Sequence, residues 1–201
     1  GIHWFRQDLR LSQNPSLEAL SKKVDHIVPI YIHDPKQRIG SVSKWWLEQS
    51  LKNLCDNIEK INGKLKIFVG DPYEIIQSLI LKNNIESFYW NRLYDPYSIT
   101  RDKKIKSLLK LEDIDCATFN SFLLNEPWEI KNKGGSFFKV FTPYWRHCNE
   151  ITRNKKPSKK IQNTKFYNFN LKNSKNIQDL NLTNKKLKWT DKIHKHWSPG
   201  E

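Results

Sequence analysis

Short apolar runs alternate with longer amphipathic stretches along the first 120 residues, and this alternation constrains the fold more than any other feature of the chain. The segments from Ile2 to Phe5, His26 to Ile32, Lys64 to Val69, Ser87 to Trp90 and Asp115 to Phe119 read as strands: they are short, apolar and bounded by turn residues. Between them, the stretches from Asn14 to Leu20, Ser43 to Ile61, Tyr73 to Leu81 and Ile99 to Leu109 read as helices. In the longest, Trp46, Leu47, Leu51, Leu54, Ile58 and Ile61 recur at spacings of three and four, as one apolar stripe requires. Strand then helix, repeated, predicts an α/β fold: a five-stranded, parallel, doubly wound (Rossmann-like) sheet with right-handed crossovers. Asn14 before Pro15 and Asp71 before Pro72 are N-cap signals, and Gly63 is a helix stop. Pro29 lacks a ladder donor, so a bulge or local break is expected there.

Beyond Asn120 the period fades. Gly134-Gly135 marks a turn, and Phe137 to Phe141 reads as a short strand or an extended surface segment. Phe138, Phe141, Tyr144 and Trp145 crowd around Pro143. They suit an aromatic clasp against the domain edge or an adjacent domain better than a surface for stacking bases. No period is found from Arg153 to Lys188, an irregular connector. The chain is thus read as an α/β domain over residues 1–130, followed by a clasp and a Lys/Asn-rich linker over 131–201. Net charge is +14, of which residues 151–201 carry +10. That basic extension fits a solvated linker better than a DNA-contacting face.

Several function classes are disfavoured. Cys55, Cys116 and Cys148 are far apart and form no C-x-x-C pattern, so neither a zinc site nor a redox motif is indicated. Unpaired thiols suit a reducing, cytoplasmic compartment. No apolar run approaches a membrane span, and no signal peptide precedes the first strand. The chain has no Met, so residues are expected to be missing from its start. No G-x-S-x-G, H-E-x-x-H or Walker A pattern occurs, and Gly134-Gly135 does not open a helix after a strand. Trp4, Trp46 and Trp90 fall at core-like positions and read as packing.

Polar residues gather where strands end, the edge at which open α/β sheets bind ligands. Arg6, Asp8 and Arg10 follow the first strand, and His33 and Asp34 follow the second. Asn91 and Asp95 follow the fourth, with Arg101 on the next helix. From spacing alone, Asn91 and Asp95 suit either a flat heteroaromatic ligand or a capped helix start with an Asp95–Arg101 ion pair.

Several of these segments together resemble the N-terminal domain of the DNA photolyase and cryptochrome family. They are WFRQDLRL (residues 4–11) with Asn14, the IHDP loop at 32–35, SVSKWWLEQSL at 41–51, and GDP at 70–72. YWNRLYDPYSITRD (89–102), FKVFTPYWR (138–146) and the terminal HWSPGE (196–201) complete the series. The resemblance implies a parallel α/β domain that harbours an antenna pigment, followed in the parent protein by a helical domain that binds FAD. That whole protein splits pyrimidine dimers in DNA with light. The helical domain has no counterpart in these 201 residues, so the chain alone is expected not to be catalytic.

By the same resemblance, the antenna pocket would be formed by Ile32, His33 and Asp34, by Val42, Ser43, Lys44 and Trp45 at the start of the long helix, and by Asn91, Leu93, Asp95 and Arg101. Lys44 stands where an Arg is common, and Leu93 replaces a polar residue. Tyr97 and Ser98 stand where folate-binding members carry Asn and Glu, so a deazaflavin or FMN-type pigment is favoured over a folate. The implied partners are the FAD-binding helical domain and DNA, with no membrane. A cryptochrome-like photoreceptor domain and a stand-alone flavin- or nucleotide-binding module are the alternatives.

Overall fold

The computed structural model describes residues 1–152, 165–183 and 189–200. Five parallel strands form one sheet in the order β3-β2-β1-β4-β5: β1 (Ile2–Phe5), β2 (Val28–His33), β3 (Lys66–Val69), β4 (Ser87–Asn91) and β5 (Asp115–Phe119). Helix α1 (Pro15–Ser21) links β1 to β2, α2 (Ser41–Glu59) links β2 to β3, α3 (Pro72–Lys82) links β3 to β4, and α4 (Pro96–Leu111) links β4 to β5. Side chains alternate across the sheet, so successive residues serve opposite faces. Ile2 and Trp4 pack with Ile30, Phe88, Trp90 and the inner residues of α3 and α4. Phe5, Tyr31 and Tyr89 pack with Leu17, Leu20, Leu51, Leu54 and Ile58 of α1 and α2. Two apolar layers on one sheet are the doubly wound arrangement that the sequence predicts.

Three of these helices begin alike. Asn14, Asp71 and Asp95 each precede a proline and accept a backbone N–H of the first turn, from Leu17, Tyr73 and Ser98 respectively. The side-chain oxygen satisfies an otherwise orphan donor while proline pre-sets the first helical φ. Helix α4 therefore starts at Pro96, three residues before the start expected from its apolar period.

Other local expectations need correction. Pro29 causes no bulge: the β1–β2 register runs unbroken through His3↔Pro29. The Val28 N–H donates to the Gly1 carbonyl just before β1, so the missing Pro29 donor faces the β3 side, where pairing begins only at Ile30↔Lys66. At the end of α2 the left-handed residue is Asn62, at φ 60°, rather than Gly63. Gly63 is needed for close approach, since a Cβ there would lie 2.5 Å from Phe166 Cβ and 2.7 Å from Ile58 Cγ2. On α2 it is Trp45 that is buried, while Ile61 lies beyond the helix end and is exposed.

The segment after β5 also departs from expectation. Phe141–Thr152 is a helix, α5, and Pro143 sits in its first turn, where no intrahelical N–H is lost. Residues 153–164, 184–188 and Glu201, which include much of the basic connector, lie outside the described residues. The described part of the extension is not a free tether. Phe166, Leu180 and Leu182 are buried in the α1/α2 layer, and Leu171 in the other. Ile27 pairs with Phe166 and Ile67 with Lys175, so this segment covers the β3 edge of the sheet, which would otherwise present unpaired backbone groups. Thr190–His194 forms a last short helix, α6.

Candidate functional site

The strand order places β1 between β2 and β4, and the chain changes sheet face on passing from β3 to β4. This is the topological switch point at which open α/β sheets form a ligand crevice beyond the strand carboxyl ends. A cavity of about 790 Å³ opens there, within the roughly 300–1,000 Å³ of small-molecule sites. Its floor is Trp4 of β1 and Arg6 just after it, with Tyr31, Ile32 and His33 of β2. The opposite wall is the first part of α2, through Val42, Ser43, Trp45, Trp46 and Ser50. Leu93 closes the β4 side, and Ile193 and Gly200 reach it from the end of the chain. That terminal segment is held on α2 because Trp189 and His194 meet the Trp45 ring edge-on, at 5.5 and 4.9 Å between centroids.

One end of the cavity is charged and rigid. The Arg6 guanidinium donates to Asp102 Oδ2 at 2.7 Å and to the Asn91 carbonyl. Arg101 donates to Asp102 Oδ1 through Nη2 at 3.0 Å, and its Nη1 lies 3.7 Å from Asp34 Oδ2. The Trp4 ring lies 5.0 Å from the Arg6 guanidinium carbon and 5.1 Å from that of Arg101. Cations beside an aromatic face are stabilised by its quadrupole. Among the described residues, Trp4 Nε1 and Arg6 Nε of this cluster are buried without a hydrogen-bond partner. Unpaired buried donors are costly, and these two are closed off from the open cavity rather than presented to it.

Asp34 is committed to the fold. Its Oδ1 accepts the Lys36 N–H at 2.9 Å and its Oδ2 accepts the Tyr97 hydroxyl at 2.6 Å. Burial and that carboxylate push the Tyr97 phenol up to about 12. Burial lowers the His33 imidazole; the Asp34 carboxylate opposes this in part, and the nearby Lys44 charge adds to the lowering. A neutral His33 therefore lines the cavity at neutral pH.

Of the residues singled out from sequence, Ile32, His33, Asp34, Val42, Ser43, Trp45, Leu93 and Arg101 line this cavity. Lys44, Asn91 and Asp95 are not among its lining residues. Asn91 is a fully buried hub: its amide donates to Asp8 Oδ2 and to Asn14 Oδ1, and its oxygen accepts the Ser16 N–H. Asp95 caps α4 through Ser98 N at 2.9 Å. The ion pair expected between Asp95 and Arg101 is replaced by Arg101 with Asp102 and Asp34. Asp8 is likewise buried among Arg6 N, Asn14 and Asn91, whereas Arg6 and Arg10 do line the mouth. Sequence reasoning missed Trp4, Trp46, Ser50 and the Ile193–Gly200 wall. Trp4 was legible only as core, because a residue at a strand's last buried turn serves both core and crevice.

Burial pushes the Cys55 and Cys116 thiols up to about 11, which makes them inert as nucleophiles at neutral pH. Among the described residues no group of three or more His, Cys, Asp or Glu is arranged to hold a metal ion. None of their helices is long and apolar enough to cross a membrane.

Comparison with known proteins gives this geometry a family. A family model for DNA photolyase matches residues 1–162. A deoxyribodipyrimidine photo-lyase of Agrobacterium fabrum is 32% identical over the whole of this chain, which spans 42% of that relative. Cryptochrome-2 of Arabidopsis thaliana is 32% identical over 75% of this chain and 25% of its own length. Among solved structures, a bacterial class III photolyase from Agrobacterium tumefaciens superposes with a TM-score of 0.86 at 31% identity, over 99% of this chain and 41% of that one. An archaeal photolyase from Sulfolobus tokodaii, solved with two FAD molecules, gives 0.77 at 25% identity, over 91% of this chain and 41% of its own.

Proposed function

The chain belongs to the DNA photolyase family as its N-terminal α/β domain, and from that premise we propose that the cavity at the switch point holds a flat heteroaromatic light-harvesting pigment. The observation that carries this reading is the cavity itself, an aromatic-lined slot at the carboxyl ends of β1 and β2. When bound, such a pigment would supply absorption and resonance transfer of excitation. The chain's own part is to bind and orient. Trp45 and Ile32 offer apolar faces, Arg6 and Arg101 offer fixed positive charge, and neutral His33 offers a ring nitrogen. None of this needs an acid, a base or a nucleophile.

A flavin or deazaflavin is favoured over a reduced folate, because Tyr97 and Ser98 are engaged with Asp34 and the α4 cap and leave no carboxylate for a pterin. Light-driven repair of pyrimidine dimers in DNA would belong to the whole protein, through an FAD-binding helical domain C-terminal to this one. The boundary near residue 130, a cytoplasmic setting and the inactivity of this segment alone belong to the same proposal. A cryptochrome-like photoreceptor stays the alternative reading, since relatives of both kinds match this chain at 32% identity. A stand-alone nucleotide-binding module would instead purify with a stoichiometric phosphate-bearing ligand.

Titration of the chain with FMN, a deazaflavin and a reduced folate, followed by absorption and fluorescence, tests the reading. One flavin-type pigment is expected to saturate, and Ser43→Trp, which fills the slot from an exposed position, should weaken it by at least about tenfold. Lys44→Ala and Asp95→Ala should leave affinity nearly unchanged. Absence of saturable binding by any pigment contradicts the proposal.

A further inference from the structure

All but two of the residues that line the crevice fall between Trp4 and Arg101; the exceptions, Ile193 and Gly200, belong to the segment 189–200. This segment returns to α2 and is pinned there at two points. At the first, the Trp189 and His194 rings meet the edges of Trp45, which is only 4% exposed. At the second, Gly200 closes on Asn53. A Cβ at Gly200 would lie 2.8 Å from Asn53 Cβ, and its backbone has φ 90°, a conformation open to glycine and strained for other residues. Trp45 and Asn53 both belong to α2, and their spacing corresponds to about 12 Å along the helix axis. Ile193, which lies between the two pins in sequence, lines the crevice. The rest of the segment is lightly held. None of the described residues 189–200 is buried, and α6 contributes nothing to the core. An element with so few buried contacts opens at far lower cost than the sheet it rests on.

We infer that residues 189–200 are a latch on the crevice, and that docking of the latch on α2 and occupancy of the crevice are one coupled equilibrium. Latch and ligand share Trp45: its edges carry Trp189 and His194, and its ring is part of the crevice wall. Undocking takes Ile193 and Gly200 out of that wall and frees the Trp45 ring to turn. The ligand therefore binds the docked form more tightly, and by linkage it holds the latch down by the same factor. Trp189 and His194 are positioning residues in this account: they act through Trp45 and are not among the residues that line the crevice.

This inference rests on the pigment-binding reading, and limited proteolysis of the whole chain tests the two apart. Lys192 and Lys195 are exposed trypsin sites within the latch, and Lys133, exposed in the Gly134-Gly135 turn, is a reference site that does not line the crevice. Cleavage at such sites tracks the population of the open form when opening is fast. Saturating FMN, or a deazaflavin mononucleotide if that binds more tightly, is expected to slow cleavage after Lys192 and Lys195 by about fivefold or more, with cleavage after Lys133 unchanged. Trp189→Ala and Gly200→Ala each loosen one pin and should speed cleavage of the latch without ligand. Combined, they should weaken the flavin by about fivefold or more. Trp197→Ser, at a ring 67% exposed, should change neither. Since the latch buries none of its own residues, the sheet should keep its circular dichroism in every variant. A flavin that saturates while the latch is cut at its ligand-free rate, or a double variant that binds as the wild type does, overturns the latch and leaves the pigment reading standing. If neither flavin saturates the wild-type chain, the pigment reading falls and the latch with it.

Discussion

Asn91 shows how a residue can be correctly singled out and wrongly assigned. A polar side chain at the end of β4 has the address of a ligand contact, yet its amide is spent on Asp8, Asn14 and Ser16, which tie the β1 loop and the start of α1 to β4. These partners are 75 to 83 residues away in sequence, beyond the reach of any local pattern. Asn91→Ala leaves several buried polar groups short of a partner, at about 1–3 kcal/mol each, and should lower unfolding free energy by about 3 kcal/mol in urea titration. Lys44→Ala should cost almost nothing. His3 gives a pH prediction of the same kind. It is fully buried, shares a hydrogen bond with Ser16 Oγ at 2.7 Å, and burial lowers its imidazole from 6.5 to about 4. Between those values the unfolded chain binds the proton and the folded chain does not, so stability rises with pH. The full contribution is present above pH 6.5 and is lost as pH falls toward about 4, with a limiting slope of about 1.4 kcal/mol per pH unit. Urea midpoints across that window should show the slope, and His3→Gln should flatten it; equal slopes in both proteins would remove His3 as the cause.

At the scale of elements, what was legible followed from local chemistry. The Asn14-Pro15 and Asp71-Pro72 starts were readable because cap and helix are neighbours in sequence, and Asp95-Pro96 carried the same signal. Helix α5 was not readable, because Phe137 to Phe141 has strand-like composition and Pro143 reads as a breaker unless its place in a first turn is known. Nor was the cover over β3: the residues that do it, Phe166, Leu171 and Lys175, have no period, and only their long-range partners reveal them. Gly63 is the hinge of that cover. Gly63→Ala forces Phe166 and Ile58 apart, and overpacking of this kind costs about 1–3 kcal/mol. Hydrogen exchange should then rise at Ile27 and Tyr167, whose amides bond across this contact. Unchanged protection there would mean that the segment is anchored elsewhere.

For the molecule as a whole, a parallel sheet with helices on both faces was legible in the alternation of elements, but the strand order and the terminal segment's return to α2, which supplies a wall of the cavity, were not. The aromatic group expected to clasp a neighbouring domain is present as an exposed face of α5: Phe141 and Trp145 stack at 6.2 Å, and both are exposed. An apolar patch of this kind on an isolated chain promotes association. Sedimentation at rising concentration should show self-association, and the double change Phe141→Ser with Trp145→Ser should reduce it without lowering the melting temperature. Strictly monomeric wild-type behaviour would argue against an interface on α5. The central claim is that the crevice beyond β1 and β2 is a pigment site, and a crystal structure of the chain with its tightest-binding flavin tests it most directly. The account predicts the ring system between Trp45 and the Trp4–Ile32 floor. A saturating ligand found on any other surface, with this crevice empty, would contradict it.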